Sequence, residues 1–271
     1  MNTKPTFPYV ERSSPEHGAR LLARSLREKL NFSTEGIEKP KNYYVAWLDL
    51  MGAGNMMSIS IHKAANAIAR IQLAVHLAQQ DHRLNLRTVP INDGVFFVSE
   101  KKSEIVNVLR SSIIYLVGNF IARRNHPDRF LARGGIAYGP VCFGTSLTTQ
   151  LSKTQKGASD IFQQVIIGSP IIQAYKTESL APVYGVSVHE SARAFSPETE
   201  EPFRSTLWRW WQTNDGGGFS KFTPQPVIPL RDTFLKELNE YLDYLDSTLP
   251  FHLIAEGKVS QWKKDSQRYY R

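Results

Sequence analysis

The 271-residue sequence contains a single cysteine, Cys142. That excludes an intramolecular disulfide and fits a reducing compartment. No His/Cys group has the spacing of a zinc site, and no Gly-x-Ser-x-Gly nucleophile elbow is present. Asp215-Gly216-Gly217-Gly218 lacks the Gly-Lys-Ser/Thr that would make it a Walker A loop. Long apolar runs are missing as well: the longest, Ile113 to Ile121, is far short of the ~20 residues that cross a bilayer. Met1 to Val10 lacks the apolar core of a signal peptide. There is no internal repeat and no low-complexity tract. The expectation from these absences is a cytoplasmic protein without membrane insertion.

The 41% hydrophobic content is enough for one sizeable core with decoration, or for two small domains. The net charge of +8 suits polyanions such as nucleic acid, nucleotide or a membrane surface. Its basic residues are dispersed, however, and cluster only in short pairs such as Lys101-Lys102, Arg123-Arg124 and Lys263-Lys264. Dispersed charge is a weak footprint for nucleic acid.

Along the chain, Ser14-Pro15-Glu16 reads as a helix start, followed by Ala19, Leu22, Ala23, Leu26 and Leu30 at helical spacing. This helix would pack on the core or on a partner subunit, and residues 32–42, with Gly36 and Pro40, form a linker. A strand over 43–50 precedes a helix from Ser60 to Asp81. Two short strands, Leu84–Val89 and Val95–Ser99, flank the hairpin turn Pro90-Ile91-Asn92-Asp93-Gly94. A helix from Ser103 to Arg124 begins with a Ser-Glu cap, and Phe130–Tyr138 returns as a strand. Gly134 and Gly135 inside that strand mark a bulge or a close backbone approach. Residues 144–160 read as a polar loop, 165–167 as a strand, Ser169-Pro170 as the start of a helix to about Ser179, and Val183–Val188 as a strand.

The order β–α–β–β–α–β–loop–α–β predicts an α+β fold of the ferredoxin-like or palm kind, an antiparallel sheet with helices on one face. It would occupy residues 43–195, after an N-terminal helix and linker (1–42) and before a C-terminal extension (196–271) packed on the domain or the dimer. The extension offers an aromatic strand, Thr206–Trp211, and an amphipathic helix, Phe234–Leu249.

Chemistry concentrates in two acids. Asp49 interrupts the apolar, aromatic run Tyr43–Leu50, and a buried carboxylate must be paired, hydrogen-bonded or metal-bound. Glycines just beyond it, Gly52 and Gly54, let the backbone approach a ligand. An aspartate capping the next helix is the plainer reading. Asp93 lies at the hairpin tip, where turn chemistry alone accounts for it. In a ferredoxin-like sheet with neighbouring strands the two sit side by side. Two carboxylates within ~4–6 Å either share a proton or are neutralised by a metal. Mg²⁺ or Mn²⁺ suits that role, and a pair of such ions can clamp an in-line displacement at phosphorus.

Four stretches then occur in a telling order: Trp47-Leu48-Asp49-Leu50-Met51-Gly52, Ile91-Asn92-Asp93-Gly94, Gly135-Ile136-Ala137-Tyr138-Gly139-Pro140-Val141, and Gly168 with its helix. Together, across roughly residues 43–190, they resemble the class III nucleotidyl cyclases, and most of all the bacterial pyrimidine cyclases of Pycsar anti-phage systems. The resemblance implies that Asp49 and Asp93 bind two divalent ions, Mn²⁺ or Mg²⁺, with the Leu50 carbonyl completing the shell. It implies that the turn Met51, Gly52, Ala53 and Gly54 holds the triphosphate, and that sites form across a homodimer. The implied reaction is attack of the ribose 3′-hydroxyl on the α-phosphate, giving pyrophosphate and a 3′,5′-cyclic monophosphate.

The departures matter. Where purine cyclases carry an Asn and an Arg on the helix after this glycine, the chain has Ile172 and Lys176. Lys176 brings charge to the transition state without the bidentate fork of Arg, or is simply a solvated lysine. The base-reading Lys and Asp of adenylate cyclases are replaced by Val89 and Val165, which cannot hydrogen-bond a purine edge. One pleat back lie Arg87 and Gln163, polar candidates for a pyrimidine. Arg133 and Arg209 are further candidates for phosphate, and Arg209 equally for cation–π contact with its tryptophan neighbours. His189, Cys142 and the Met51/Met56/Met57 group read as packing.

The expected activity is conversion of UTP to cyclic UMP, with CTP to cyclic CMP as the alternative, in a signalling role that activates a separate effector protein. A different class of reading is a ferredoxin-like nucleic-acid-binding module, which needs aromatics exposed on the sheet to stack bases. A third is a catalytically dead relative that senses nucleotide without turnover.

Overall fold

A computed structural model describes residues 15–30, 35, 37–84, 86–148, 151, 156–212 and 224–271. Ser14, most of the 31–36 stretch and the Asp215–Gly218 loop therefore lie outside the described residues. The elements are α1 (Pro15–Leu30), β1 (Lys41–Met51), α2 (Ala53–Ile59), α3 (Ile61–His82), β2 (Arg87–Ile91), β3 (Gly94–Ser99) and α4 (Lys102–Ala122). They continue with β4 (Leu131–Phe143), α5 (Gly144–Thr148), α6 (Ser159–Gln163), β5 (Ile166–Ile167), α7 (Ser169–Glu178), β6 (Val186–Val188), α8 (Glu190–Ala194) and β7 (Leu207–Trp208). Three C-terminal helices follow: α9 (Pro224–Ser247), α10 (Leu249–His252) and α11 (Lys258–Tyr269).

The sheet order is β2-β3-β1-β4-β6-β7, with β5 paired to the end of β4. Its first four strands, each antiparallel to its neighbour, with α3 and α4 as crossovers, form the split βαββαβ unit of a ferredoxin-like α+β fold. β6 then adds parallel to β4 after α7, and β7 adds antiparallel to β6.

Alternation along β1 splits the core into two. Tyr44, Ala46, Leu48 and Leu50 point into the larger cluster with α3 and α4, whereas Val45 and Trp47 point the other way with Phe96, Val98, Ala137 and Ala174. Ala174 belongs to α7, so the helices cover both faces, not one as the sequence pattern suggests. The reason is glycine. A Cβ at Gly135 would lie 2.2 Å from the Ala174 carbonyl oxygen, so α7 seats directly on β4 only because that side chain is absent. The Gly134-Gly135 pair thus marks a close approach within an unbroken strand, and β4 also runs straight through Gly139-Pro140.

Other boundaries differ in detail. α4 starts with Lys101 at its N-cap and no side-chain cap bond, so the expected Ser-Glu cap does not form; Ser99 Oγ accepts from the Lys101 N–H and donates to Glu104. Of the expected loop over 144–160, residues 144–148 are helical, and helix α6 begins at Ser159 and runs on to Gln163. The aromatic strand shortens to Leu207–Trp208; Trp208, Trp210 and Trp211 are all buried. By length and composition α4 is long and apolar enough to cross a membrane, although polar residues interrupt its apolar stretches. Its apolar residues are instead buried in the core, which α9 joins through Phe234, Leu238, Tyr241, Leu242 and Leu245.

Candidate active site

Asp49 stands on the α7 face of the sheet, in register with Gly94 on β3 and Arg133 on β4. Gly94 is obligatory: a Cβ there would sit 2.2 Å from the Trp47 ring and 2.8 Å from the Leu48 carbonyl. The two-residue turn between Ile91 and Gly94 places Asn92 in the left-handed region at φ 49°, which asparagine tolerates. Asp93 follows it and is brought to the Asp49 end of the central strands.

The electrostatics are those of crowded acids. Burial pushes the Asp49 carboxyl up to about 7, reinforced by the charges of Glu178 and Asp93 and opposed by Arg133 and the Leu50 N–H. Burial also raises Glu178, against the pull of Arg133. Arg133 Nε donates to the Glu178 carboxylate and Nη1 donates to the Ser179 carbonyl at 3.3 Å. Asp49 and Glu178 thus flank the Arg133 guanidinium, and both feel the charge of Asp93. Among the described residues no group of three or more His, Cys, Asp or Glu forms a metal-binding cluster. A caged metal is therefore not what these residues suit. Two aspartates with a backbone carbonyl do fit a hard divalent ion whose remaining ligands are water and substrate phosphate. The Leu50 side chain is buried on the opposite face, so only its backbone can serve Asp49.

Beyond Asp49 the strand ends at Met51, and Gly52 turns the chain at φ 74° as the N-cap of α2. A Cβ on Gly52 or Gly54 would meet nothing within 4 Å, so both glycines border open space, while Ala53 packs inward. Asp49, Met51, Gly52 and Asn55 line a cavity of about 420 Å³. Its other wall is C-terminal, with Tyr241, Leu245, Phe251, His252, Lys258 and Trp262. The volume falls within the range of small-molecule sites. Met51 and Met56, expected as packing, also line it.

The other candidates lie elsewhere. Arg87 Nη2 donates to the backbone carbonyl of Gln163, and its guanidinium lies 4.6 Å from the Phe143 ring centroid. The two polar candidates therefore meet, but Gln163 ends helix α6 and is not on a strand. Arg87 is in register with Val98 and hence Val45, four residues from Asp49, or roughly 13 Å along the sheet. Lys176 is exposed on α7, with Ile172 and Tyr175 beside it, while Ala174, Thr177 and Glu178 face the sheet. Arg209 donates to the Tyr269 carbonyl at 3.3 Å; the guanidinium over Trp208 is that of Arg110, 5.4 Å from its ring. His189 caps α8 by accepting from the Ser191 N–H. Trp47 and Phe96 are buried beneath α7, so these sheet aromatics offer no base-stacking surface.

Sequence reasoning missed Glu178, Lys63, His252 and Lys258. Glu178 was within reach: it lies one helical turn after Ala174, on the face that must contact Gly135. The C-terminal residues carry no local motif.

No family model matches the chain, and no curated protein matches it. Solved structures do. A guanylyl cyclase domain of the RhoGC fusion protein from the aquatic fungus Blastocladiella emersonii aligns at 14% identity and TM-score 0.42, covering 57% of this chain and 84% of that one. The guanylate cyclase domain of RhGC from Catenaria anguillulae, in complex with GTP, aligns at 14% identity and TM-score 0.43, covering 57% and 81%. A bacterial light-regulated adenylyl cyclase aligns at 12% identity and TM-score 0.41, covering 66% and 59%.

Proposed function

We propose that the protein is a metal-dependent nucleotide cyclase that converts UTP to cyclic UMP and pyrophosphate, acting as a homodimer with shared sites. The observation that carries this reading is Asp49: a half-buried acid pushed up by burial first and then by Glu178 and Asp93, just before a glycine turn that opens on a cavity. Asp49, Asp93 and the Leu50 carbonyl would hold the divalent ions, Mg²⁺ or Mn²⁺. When bound, such ions supply charge neutralisation at the phosphates and lower the pKa of the attacking hydroxyl.

In the reaction, the ribose 3′-oxygen forms a bond to the α-phosphorus as the bond to the β-phosphate breaks. The hydroxyl proton passes to solvent, and pyrophosphate leaves. Met51, Gly52, Ala53 and Gly54 would orient the triphosphate through the turn backbone, beside the open space at both glycines. Arg133, across from Asp49, is placed to meet phosphate oxygens on release from Glu178. Lys176, exposed on α7, would act on the partner's site. Arg87 and Gln163 would meet a pyrimidine base, with Val89 nearby disfavouring purines. Cyclic CMP from CTP is the neighbouring alternative. A role in anti-phage signalling, through a separate effector that the cyclic nucleotide activates, follows from the same sequence resemblance.

The test is incubation of purified protein with ATP, GTP, CTP and UTP in Mn²⁺ or Mg²⁺, beside an Asp49→Ala/Asp93→Ala control. Cyclic UMP that disappears in the control is the expected result. A purine product would overturn the base assignment, and the same product from the control would overturn the site.

A further inference from the structure

The cavity beside Asp49 has a feature the cyclase reading does not use. Its wall runs from Asp49 through Met51, Gly52 and Asn55 to Lys63 on α3, and is completed by His252 and Lys258 from the C-terminal helices. Neither lysine has a carboxylate within ion-pair distance among the described residues. Burial lowers the Lys63 ammonium pKa, opposed by the charge of Asp128. His252 is lowered too, by burial first and then by the charge of Lys63, and both residues line the same cavity. Its Nε2 is buried and has no hydrogen-bond partner. The two other cations on the cavity, Arg129 and Arg133, are already paired with Glu237 and Glu178.

A partly desolvated lysine, an orphaned imidazole nitrogen and a second lysine on one cavity together offer donors and positive charge that suit an anion. Phe251, Ile254 and Trp262 supply the apolar part of the wall. The arrangement is held in place: Asn55 Nδ2 donates to the Leu253 carbonyl at 2.6 Å, tying α2 to the segment between α10 and α11. The anion must also fit an end-to-end order. At one end lies a carboxylate suited to a cation, then an open glycine turn, then the unpaired cations.

We infer that Lys63, His252 and Lys258 bind the terminal phosphates of the nucleotide substrate, so that the C-terminal helices complete the substrate site. The inference rests on the cyclase reading for the identity of the substrate, but the oligophosphate chemistry stands on the cavity itself. The same chemistry would also suit a separate polyphosphate effector, and the experiment distinguishes the two.

The test uses the full chain with inorganic pyrophosphate in Mg²⁺, measured by titration calorimetry, and nucleotide kinetics on the same preparations. Lys63→Met/Lys258→Met should bind pyrophosphate at least tenfold more weakly. Its KM for nucleotide should rise at least tenfold while kcat changes less than threefold. Lys258→Ala alone, at an exposed position on α11, gives a milder version of both effects should the double variant fail to fold. Unchanged pyrophosphate affinity in these variants overturns the assignment. Pyrophosphate that depends on the lysines but does not compete with nucleotide also overturns it, in favour of a separate effector site. Lysine-dependent pyrophosphate binding that competes with nucleotide, in a protein that cyclises none, refutes the cyclase reading and leaves the phosphate site standing.

Discussion

Asp49 and Arg133 face each other in register across β1 and β4, yet the guanidinium of Arg133 is bonded to Glu178. The arrangement leaves Asp49 with the charge of Arg133 close by but without its hydrogen bonds. Glu178 thereby keeps the nearest cation from closing on the acid that the proposed chemistry needs open.

Glu178→Gln tests this directly. A neutral amide holds Arg133 less strongly, so the guanidinium is free to pair with Asp49 and compete with a divalent ion. Loss of a partner behind a metal ligand commonly costs 10–100-fold in metal affinity or activity. A fall of that order in Mn²⁺ affinity, with the fold retained by circular dichroism, is the expected outcome. Equal Mn²⁺ affinity in the variant and the parent would remove Glu178 from the site.

The raised Asp49 carboxyl sets a pH dependence. Its folded value of about 7 exceeds the ordinary 3.8, so between those values the folded state binds more protons than the unfolded one. Stability of the metal-free protein must then fall as pH rises from about 4 to about 7, as far as this group contributes. Divalent cations compete with that proton, so apparent Mn²⁺ affinity should drop about tenfold per pH unit below 7. Asp49→Asn should abolish Mn²⁺ binding while stabilising the metal-free protein at pH 8 by on the order of 1–2 kcal/mol. Thermal melts of both proteins across pH, with and without Mn²⁺, decide it; a flat stability profile in the parent would contradict the sign.

Most of this fold can be read from local chemistry. Asn92-Asp93-Gly94 announces the hairpin, Ser169-Pro170 the start of α7, and the apolar periodicity of residues 103–124 helix α4. Alternation in Tyr44, Ala46, Leu48 and Leu50 against Val45, Trp47 and Asp49 assigns each face of β1. What escapes is tertiary. No sequence pattern says which face α7 covers, because the deciding contact joins Gly135 to Ala174 across 39 positions. Likewise Lys63, His252 and Lys258 come together only because α9 packs on α4 and returns the chain to the β1 turn. A solvated charge and a site residue look alike until that packing is known.

Gly135→Ala measures the close approach on which α7 depends. The new methyl would collide with the Ala174 carbonyl, the Glu178 amide nitrogen and the Thr177 side chain, two of them backbone groups that cannot swing away. Overpacking of this kind costs typically ~1–3 kcal/mol. A drop in Tm of several degrees is expected, with Mn²⁺ affinity reduced because Glu178 and Arg133 move with the helix. Gly54→Ala is the contrast, since a Cβ there meets nothing within 4 Å, and its Tm should match the parent within a degree or two. Equal destabilisation by both would show that helix propensity or chain entropy, not crowding under α7, governs these glycines.

Lys176 decides whether sites are shared. On α7, Glu178 faces the sheet beside Asp49 and Arg133, whereas Lys176 is exposed among Ile172 and Tyr175, each 57% exposed. On the proposed dimeric reading, a lysine on the exposed side of α7 would meet phosphate in the site of another chain. Lys176→Met and Asp49→Asn should each lose activity as separate proteins. Mixed in equal amounts and allowed to exchange subunits, half of the dimers would be mixed, each with one intact site of two. About one quarter of the parental activity should then return, as follows from random pairing in a two-fold dimer. No recovery on mixing, with exchange verified by differently tagged chains, would place Lys176 and Asp49 in the same site or Lys176 in none.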